Sequence, residues 1–158
     1  MNKWLVAEYK SNEVAKLKLN LENQKFKFFL PKLTRLNSKN VAKEELMFPG
    51  YIFISSSYER YTRLKYTKGI KKILIFGHNI PYMNDDEIEA LKDIENQSKD
   101  VPMKYNFKVG QEVMINKGSL KGNLANICSL PAKKRVFILI HILGSYRKIN
   151  ISLKNLSV

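Results

Sequence analysis

Apolar residues crowd the start of the chain, where Trp4-Leu5-Val6-Ala7 runs on to Tyr9 and predicts a first strand over residues 4–9. Ser11 or Asn12 is placed to cap the next element, because a short side-chain oxygen can accept from the free N–H groups of a helix start. From Glu13 the apolar positions Val14, Leu17 and Leu21, with the small Ala15, fall at helical spacing. Phe26, Phe28 and Leu30 alternate with Lys27 and Phe29 up to Pro31, which predicts a second strand. The polar stretch 36–43 reads as a loop or small hairpin. Pro49-Gly50 marks a turn, and Tyr51-Ile52-Phe53-Ile54 continues as a strand that ends in Ser55-Ser56-Ser57. Residues 58–66 suit a short helix capped by Ser56 or Ser57 and broken at Thr67-Lys68-Gly69. Residues 70–76 make a fourth strand. Asn84 then caps a third helix with Asp85, Asp86 and Glu87 in its first turn and Ile88, Leu91 and Ile94 as its buried stripe. The order strand, helix, strand, strand, helix, strand, helix is that of a split βαβ unit, an α+β sheet with helices on one face.

Residues 96–107 lack a clean period and read as a linker. Beyond them the texture changes to short β runs separated by turn residues such as Asn116-Lys117-Gly118 and Lys121-Gly122-Asn123. Four or five such runs predict a small closed barrel. Its longest strand, Val136-Phe137-Ile138-Leu139-Ile140-His141-Ile142-Leu143, has Phe137, Leu139, His141 and Leu143 on one face and the β-branched Val136, Ile138, Ile140 and Ile142 on the other. A barrel fills its interior with one face only, so the second apolar row marks a binding surface or an oversized interior.

Charge changes this picture most. The 158 residues carry 28 Lys and Arg against 14 acids, a net of +14. Residues 1–84 hold +10, residues 85–100 hold −5, and residues 101–158 hold +9. Such a field attracts polyphosphate and weakens as salt rises. Lys10, Lys16, Asn20, Asn23 and Gln24 lie on or just before the first helix, and Lys65, Thr67 and Lys68 lie at the end of the second. The set reads as a phosphate- and base-contacting face or as an ordinary solvated surface.

Other chemistry is sparse. The lone Cys128 rules out a disulfide framework. His78 and His141 stand in separate segments, with no carboxylate cluster, glycine-rich phosphate loop or helix-borne His pair beside them. No catalytic residue, metal or cofactor is expected, so the chain is not read as an enzyme. The longest apolar run, residues 136–140, falls far short of the roughly 18 residues a membrane span needs. With an N-terminus too short in apolar residues for a secretory signal, a cytoplasmic protein is expected.

Trp4, Phe48-Pro49-Gly50-Tyr51 and Lys68-Gly69-Ile70 in the first part of the chain, and Phe107-x-Val-Gly-Gln-x-Val-x-Ile, Gly118, Lys121-Gly122 and Leu143-Gly144 further on, make one ordered and spaced set of motifs. Together they resemble the NusG family of bacterial transcription elongation factors. That resemblance implies an N-terminal NGN domain over 1–98, a linker over 99–106, and a C-terminal KOW domain, an SH3-like β-barrel, over 107–158. Within the family the chain looks more like the specialised RfaH branch, in which the C-terminal segment also adopts a helical hairpin. The single glycine in the 72–83 segment and the apolar 136–143 strand carry that reading; the tail at 149–156 looks closer to the general factor.

The resemblance implies that Tyr51 and Phe53, with Phe48, dock on the β′ clamp coiled coil of RNA polymerase. Period-two spacing puts 51 and 53 on one strand face, though the same alternation also fits a sheet core. It implies contacts of the Lys10–Gln24 and Lys65–Lys68 face with the non-template DNA strand, and of Arg60, Tyr61 and Thr62 with the polymerase β subunit. Phe137, Leu139 and Leu143 would meet either the N-terminal domain or ribosomal protein S10, with Glu45 and Arg135 pairing across the domain boundary. A monomeric elongation and antitermination factor is expected. A general NusG factor and an rRNA-binding KOW protein of the ribosome are the alternatives.

Overall fold

In the computed structural model the described residues are 3–75, 78 and 80–100, together with the backbone of 114–116 and 155–157. They fall in two units, Met1–Leu30 with Gly50–Ile88, and Pro31–Pro49 with Glu89–Val158. In chain order the elements begin with β1 (Lys3–Tyr9), α1 (Val14–Asn23), β2 (Phe28–Phe29), β3 (Lys32–Leu36) and β4 (Ala42–Leu46). They continue with β5 (Tyr51–Ser56), α2 (Tyr61–Lys65), β6 (Ile70–Ile73), β7 (Tyr82–Met83) and α3 (Asp85–Asp100). Strands β8 (Met114–Asn116) and β9 (Asn155–Ser157) pair antiparallel.

The first unit is built on an antiparallel sheet of order β2–β5–β1–β6, with β7 also on β1. The split βαβ reading and the α+β class hold. Register puts Leu5 opposite Ile54 and Ala7 opposite Ile52, so their side chains share one face. Leu17 and Leu21 of α1 and Leu64 of α2 join them in one buried cluster. Each such aliphatic side chain contributes roughly 1.5–3 kcal/mol by leaving water.

Chain entry to α1 differs from expectation. Ser11–Glu13 form a 3-10 turn, closed by Glu13 N–H donating to the Lys10 carbonyl at 2.8 Å, and no side chain caps the helix. The early turn takes up the backbone groups that Ser11 or Asn12 would have served. Helix α1 ends in a Schellman motif: Phe26 N–H donates to Leu21 O and Lys25 N–H to Glu22 O, both at 2.9 Å. Lys25 takes the left-handed position (φ 59°) that glycine usually holds. Phe26 is thereby committed to closing the helix, and β2 is only two residues long rather than five.

Helix α2 is likewise shorter than expected and uncapped by serine. Ser56 is still buried in β5, and its hydroxyl donates to the Ser57 carbonyl at 3.1 Å. Helix α3 starts as expected, in a capping box: Glu87 N–H donates to Asn84 Oδ1 at 3.0 Å, and Asn84 N–H to Glu87 Oε2 at 2.7 Å. The Trp4 indole donates to Asp85 Oδ1 at 2.7 Å and fixes that start to β1.

The second unit holds the hairpin β3–β4 and the rest of α3. Asn37 organises the hairpin turn, its Oδ1 accepting from the N–H groups of Lys39 (2.9 Å) and Val41 (3.0 Å). Helix α3 runs on through Asn96–Ser98 to Asp100, where a linker was expected. Ser98 continues the Leu91–Ile94 stripe although it is polar. It is 1% exposed, donates to Glu95 O at 2.7 Å and accepts from Thr34 N–H at 3.0 Å. Glu95 accepts from Lys32 N–H at 3.0 Å, so α3 satisfies two backbone donors of β3. The linker remainder 101–106 and most of the expected barrel lie outside the described residues.

Candidate nucleic-acid interface

Asn20 on α1 and Gln24 at its C-cap stand one turn apart, beside the buried Leu17 and Leu21. Both amides bind the turn between α2 and β6. Asn20 Nδ2 donates to Lys68 O at 3.2 Å, and Gln24 Nε2 donates to Thr67 Oγ1 at 3.1 Å. The Thr67 hydroxyl in turn donates to Arg63 O at 3.0 Å. Gly69 lets the turn come this close: it has φ +101°, and a Cβ there would stand 2.7 Å from Leu17 Cβ. Lys10 N–H donates to Gly69 O at 3.0 Å and brings Lys10 to the same turn.

Between α1 and this turn opens a groove of about 720 Å³, lined by Asn20, Gln24, Thr62, Arg63, Tyr66 and Lys68 among others. The structure therefore brings Asn20, Gln24, Thr67 and Lys68 of the expected DNA-contacting set into one site. Thr67 is 5% exposed and has its hydroxyl engaged, so it supports the groove floor. Lys16, Asn23 and Lys65 are exposed outside the lining, Lys16 one turn before Asn20 on α1. Arg63, Tyr66 and Glu59 also line the groove and were missed in the sequence. They fall in or beside a short helix with no distinctive spacing, and only the aromatic beside a polar turn marks Tyr66.

Arg60 has a different setting from the polymerase contact expected of it. Its guanidinium donates to Lys25 O at 3.4 Å and to Gln24 O, and stacks 4.0 Å from the Phe26 ring centre. It ties the entry of α2 to the C-terminal carbonyls of α1. Tyr61 packs against the core cluster, and Thr62 is exposed.

Alternation along β5 puts Tyr51 and Phe53 on the face opposite Ile52 and Ile54, as read from the sequence. Both faces are buried, however: Tyr51 is 6% exposed, Phe53 0%, and Phe48, in the second unit, 1%. An aromatic strand face open to solvent is not what the structure has. Tyr51 lies opposite Glu8 in the sheet register. Burial first, and then the Glu8 carboxylate, push the Tyr51 phenol above its ordinary value of 10.0. Lys71 and Lys72 pair with Glu8 at 3.5 and 3.6 Å. Glu45 pairs with Arg35 at 3.0 Å within the hairpin. Its expected partner Arg135, and Phe137, Leu139 and Leu143, lie outside the described residues.

The model of one protein family, described as NusG, transcription termination factor nusG, matches residues 2–92. The chain belongs to the NusG family. NusG-family proteins are non-enzymatic transcription elongation factors that act on RNA polymerase. A solved structure titled "Domain interaction in Thermotoga maritima NusG" is 21% identical, with TM-score 0.43, covering 77% of this chain and 76% of that one. No curated protein matches. Among the described residues no group of three or more His, Cys, Asp or Glu could hold a metal ion, and no helix is long and apolar enough to cross a membrane.

Proposed function

We propose that this NusG-family chain is a cytoplasmic, monomeric elongation and antitermination factor of the RfaH type. Tyr51, Phe53 and Phe48 dock on the β′ clamp coiled coil once a rearrangement exposes them, since buried rings contribute nothing to an interface. Lys10, Lys16, Asn20, Asn23, Gln24, Lys65 and Lys68 meet the non-template DNA strand, with Thr62 toward the polymerase β subunit. Spanning the DNA channel in this way favours the closed clamp and suppresses pausing and termination. The C-terminal KOW segment, through Phe137, Leu139 and Leu143, engages ribosomal protein S10.

The observation that carries this reading is the groove, which gathers amide and cationic side chains from two distant segments in a family that works on transcribing polymerase. Titrating the full chain onto reconstituted elongation complexes with different non-template sequences tests it. Binding that demands one sequence is expected. Equal binding to every complex would make the chain a general NusG factor. Co-sedimentation with salt-washed ribosomes and no polymerase binding would make it an rRNA-binding protein instead.

A further inference from the structure

Gln24 is gripped by α2 at both of the helix's ends. Its side chain donates to Thr67 just beyond the last turn, and the Thr67 hydroxyl donates in turn to Arg63 O inside the helix. Its backbone carbonyl accepts from the guanidinium of Arg60, the residue at the N-cap of α2. A second Arg60 N–H reaches Lys25 O at 3.4 Å, and the planar group lies 4.0 Å from the centre of the buried Phe26 ring. Gln24 and Lys25 close α1, so a cation here meets the negative end of the helix dipole and two carbonyls that have no partner within α1. A fork of N–H groups with a flat stacking face suits this place. A lysine ammonium has the charge without the fork or the face.

The half-buried Arg60 side chain is thus spent on the end of α1. The Gln24 amide has one N–H on Thr67 and its Oε1 without a partner among the described residues, so what it can reach depends on where the backbone at residue 24 is held. We infer that Arg60 is a positioning residue: by clasping the end of α1 to the entry of α2, it sets the pose in which the Gln24 amide is offered to DNA. The inference rests on the reading of Gln24 as DNA-contacting and goes beyond it, because it gives a role in binding to a side chain that touches neither DNA nor polymerase.

The test uses the full chain, a fluorescent single-stranded DNA oligonucleotide over a range of salt, and reconstituted elongation complexes, with every variant held well below its thermal midpoint. Arg60→Lys keeps the net charge and removes the fork. It is expected to weaken binding to the free oligonucleotide by about 5- to 150-fold, the span of one well-placed amide–base contact, with the salt slope unchanged. The same factor is expected on the elongation complex. On a Gln24→Ala background Arg60→Lys is expected to cost nothing further, because the two residues act as one unit. A direct polymerase contact would instead spare the free oligonucleotide and lose affinity only on the complex. A phosphate contact would spare Arg60→Lys and flatten the salt slope of Arg60→Ala. A purely structural clasp would lower the thermal midpoint of Arg60→Lys and leave its DNA affinity untouched, or would add its loss in full to that of Gln24→Ala. Each of these three results overturns the positioning role, while a flattened slope in Lys68→Ala shows that the DNA-contacting face stands. If wild type does not bind the oligonucleotide, or if neither Gln24→Ala nor Lys68→Ala alters binding, the reading of the face falls and the role of Arg60 falls with it.

Discussion

Two glycines with positive φ separate strain from crowding. Gly50 (φ +91°) has open space around its missing Cβ, whereas Gly69 (φ +101°) would drive a Cβ into Leu17 of α1. Gly50→Ala should therefore cost about 1–2 kcal/mol, the penalty for a left-handed backbone alone. Gly69→Ala adds overpacking of a buried helix and should cost about 2–5 kcal/mol. Urea midpoints of the two variants check the order; equal losses would mean that the α1 approach is not tight. Lys25 is the converse case, a side chain where a Schellman motif prefers none. Lys25→Gly should raise stability by about 1 kcal/mol, measured in the same way. Tyr51 gives a pH signature. Its folded pKa is above its unfolded value, so the neutral phenol's contribution is complete below about pH 10 and is lost as pH rises through the folded value. The stability difference between wild type and Tyr51→Phe should shift against wild type above about pH 10, and Glu8→Gln should lower the alkaline midpoint of the Tyr51 phenol. Sequence pattern gives the side on which residues 51 and 53 lie. It cannot say that both sides of β5 are covered, because alternation reports a face and not what meets it.

Among the elements, α3 shows where hydrophobic periodicity stops being readable. Its start was legible, since Asn84 and Glu87 spell a capping box three residues apart. Its last turns were not, because the stripe position at 98 is a serine. Only a partner 64 residues away, the Thr34 N–H, makes a hydroxyl the right group there. Ser98→Ala should cost about 1–3 kcal/mol by leaving that buried donor unsatisfied. Amide exchange should localise the loss: Thr34 exchanges faster in the variant, while Leu5 and Ala7 in the β1–β5 ladder keep their protection. A uniform rise across both would mean that Ser98 supports global stability rather than this one bond. The short helices fail for a related reason. At α1 and α2, serines and asparagines stand where capping rules want them, yet a 3-10 turn and a buried β5 terminus use the backbone first. The groove itself was half legible. Asn20, Gln24 and Lys68 show as polar, but only tertiary structure puts Tyr66 in one groove with them.

For the molecule as a whole the question is whether its charge acts as a diffuse field or through a site. A net of +14 alone would let any exposed lysine contribute alike to nucleic-acid binding. The groove argues for a site, because counterion release counts phosphates actually neutralised, about 0.7 in salt slope for each on a single strand. Lys68 lies in the groove lining, and Lys39 lies exposed at the tip of the β3–β4 hairpin in the other unit. Replacing either by alanine changes the net charge equally. If binding is local, Lys68→Ala should flatten the slope of log affinity against log salt by about 0.7, and Lys39→Ala should leave it unchanged. If both variants flatten it alike, the field alone binds DNA, and the alignment of amides, cations and aromatic in the groove has no part in it. Two titrations on one oligonucleotide decide between these outcomes, since they hold net charge fixed and vary only its place.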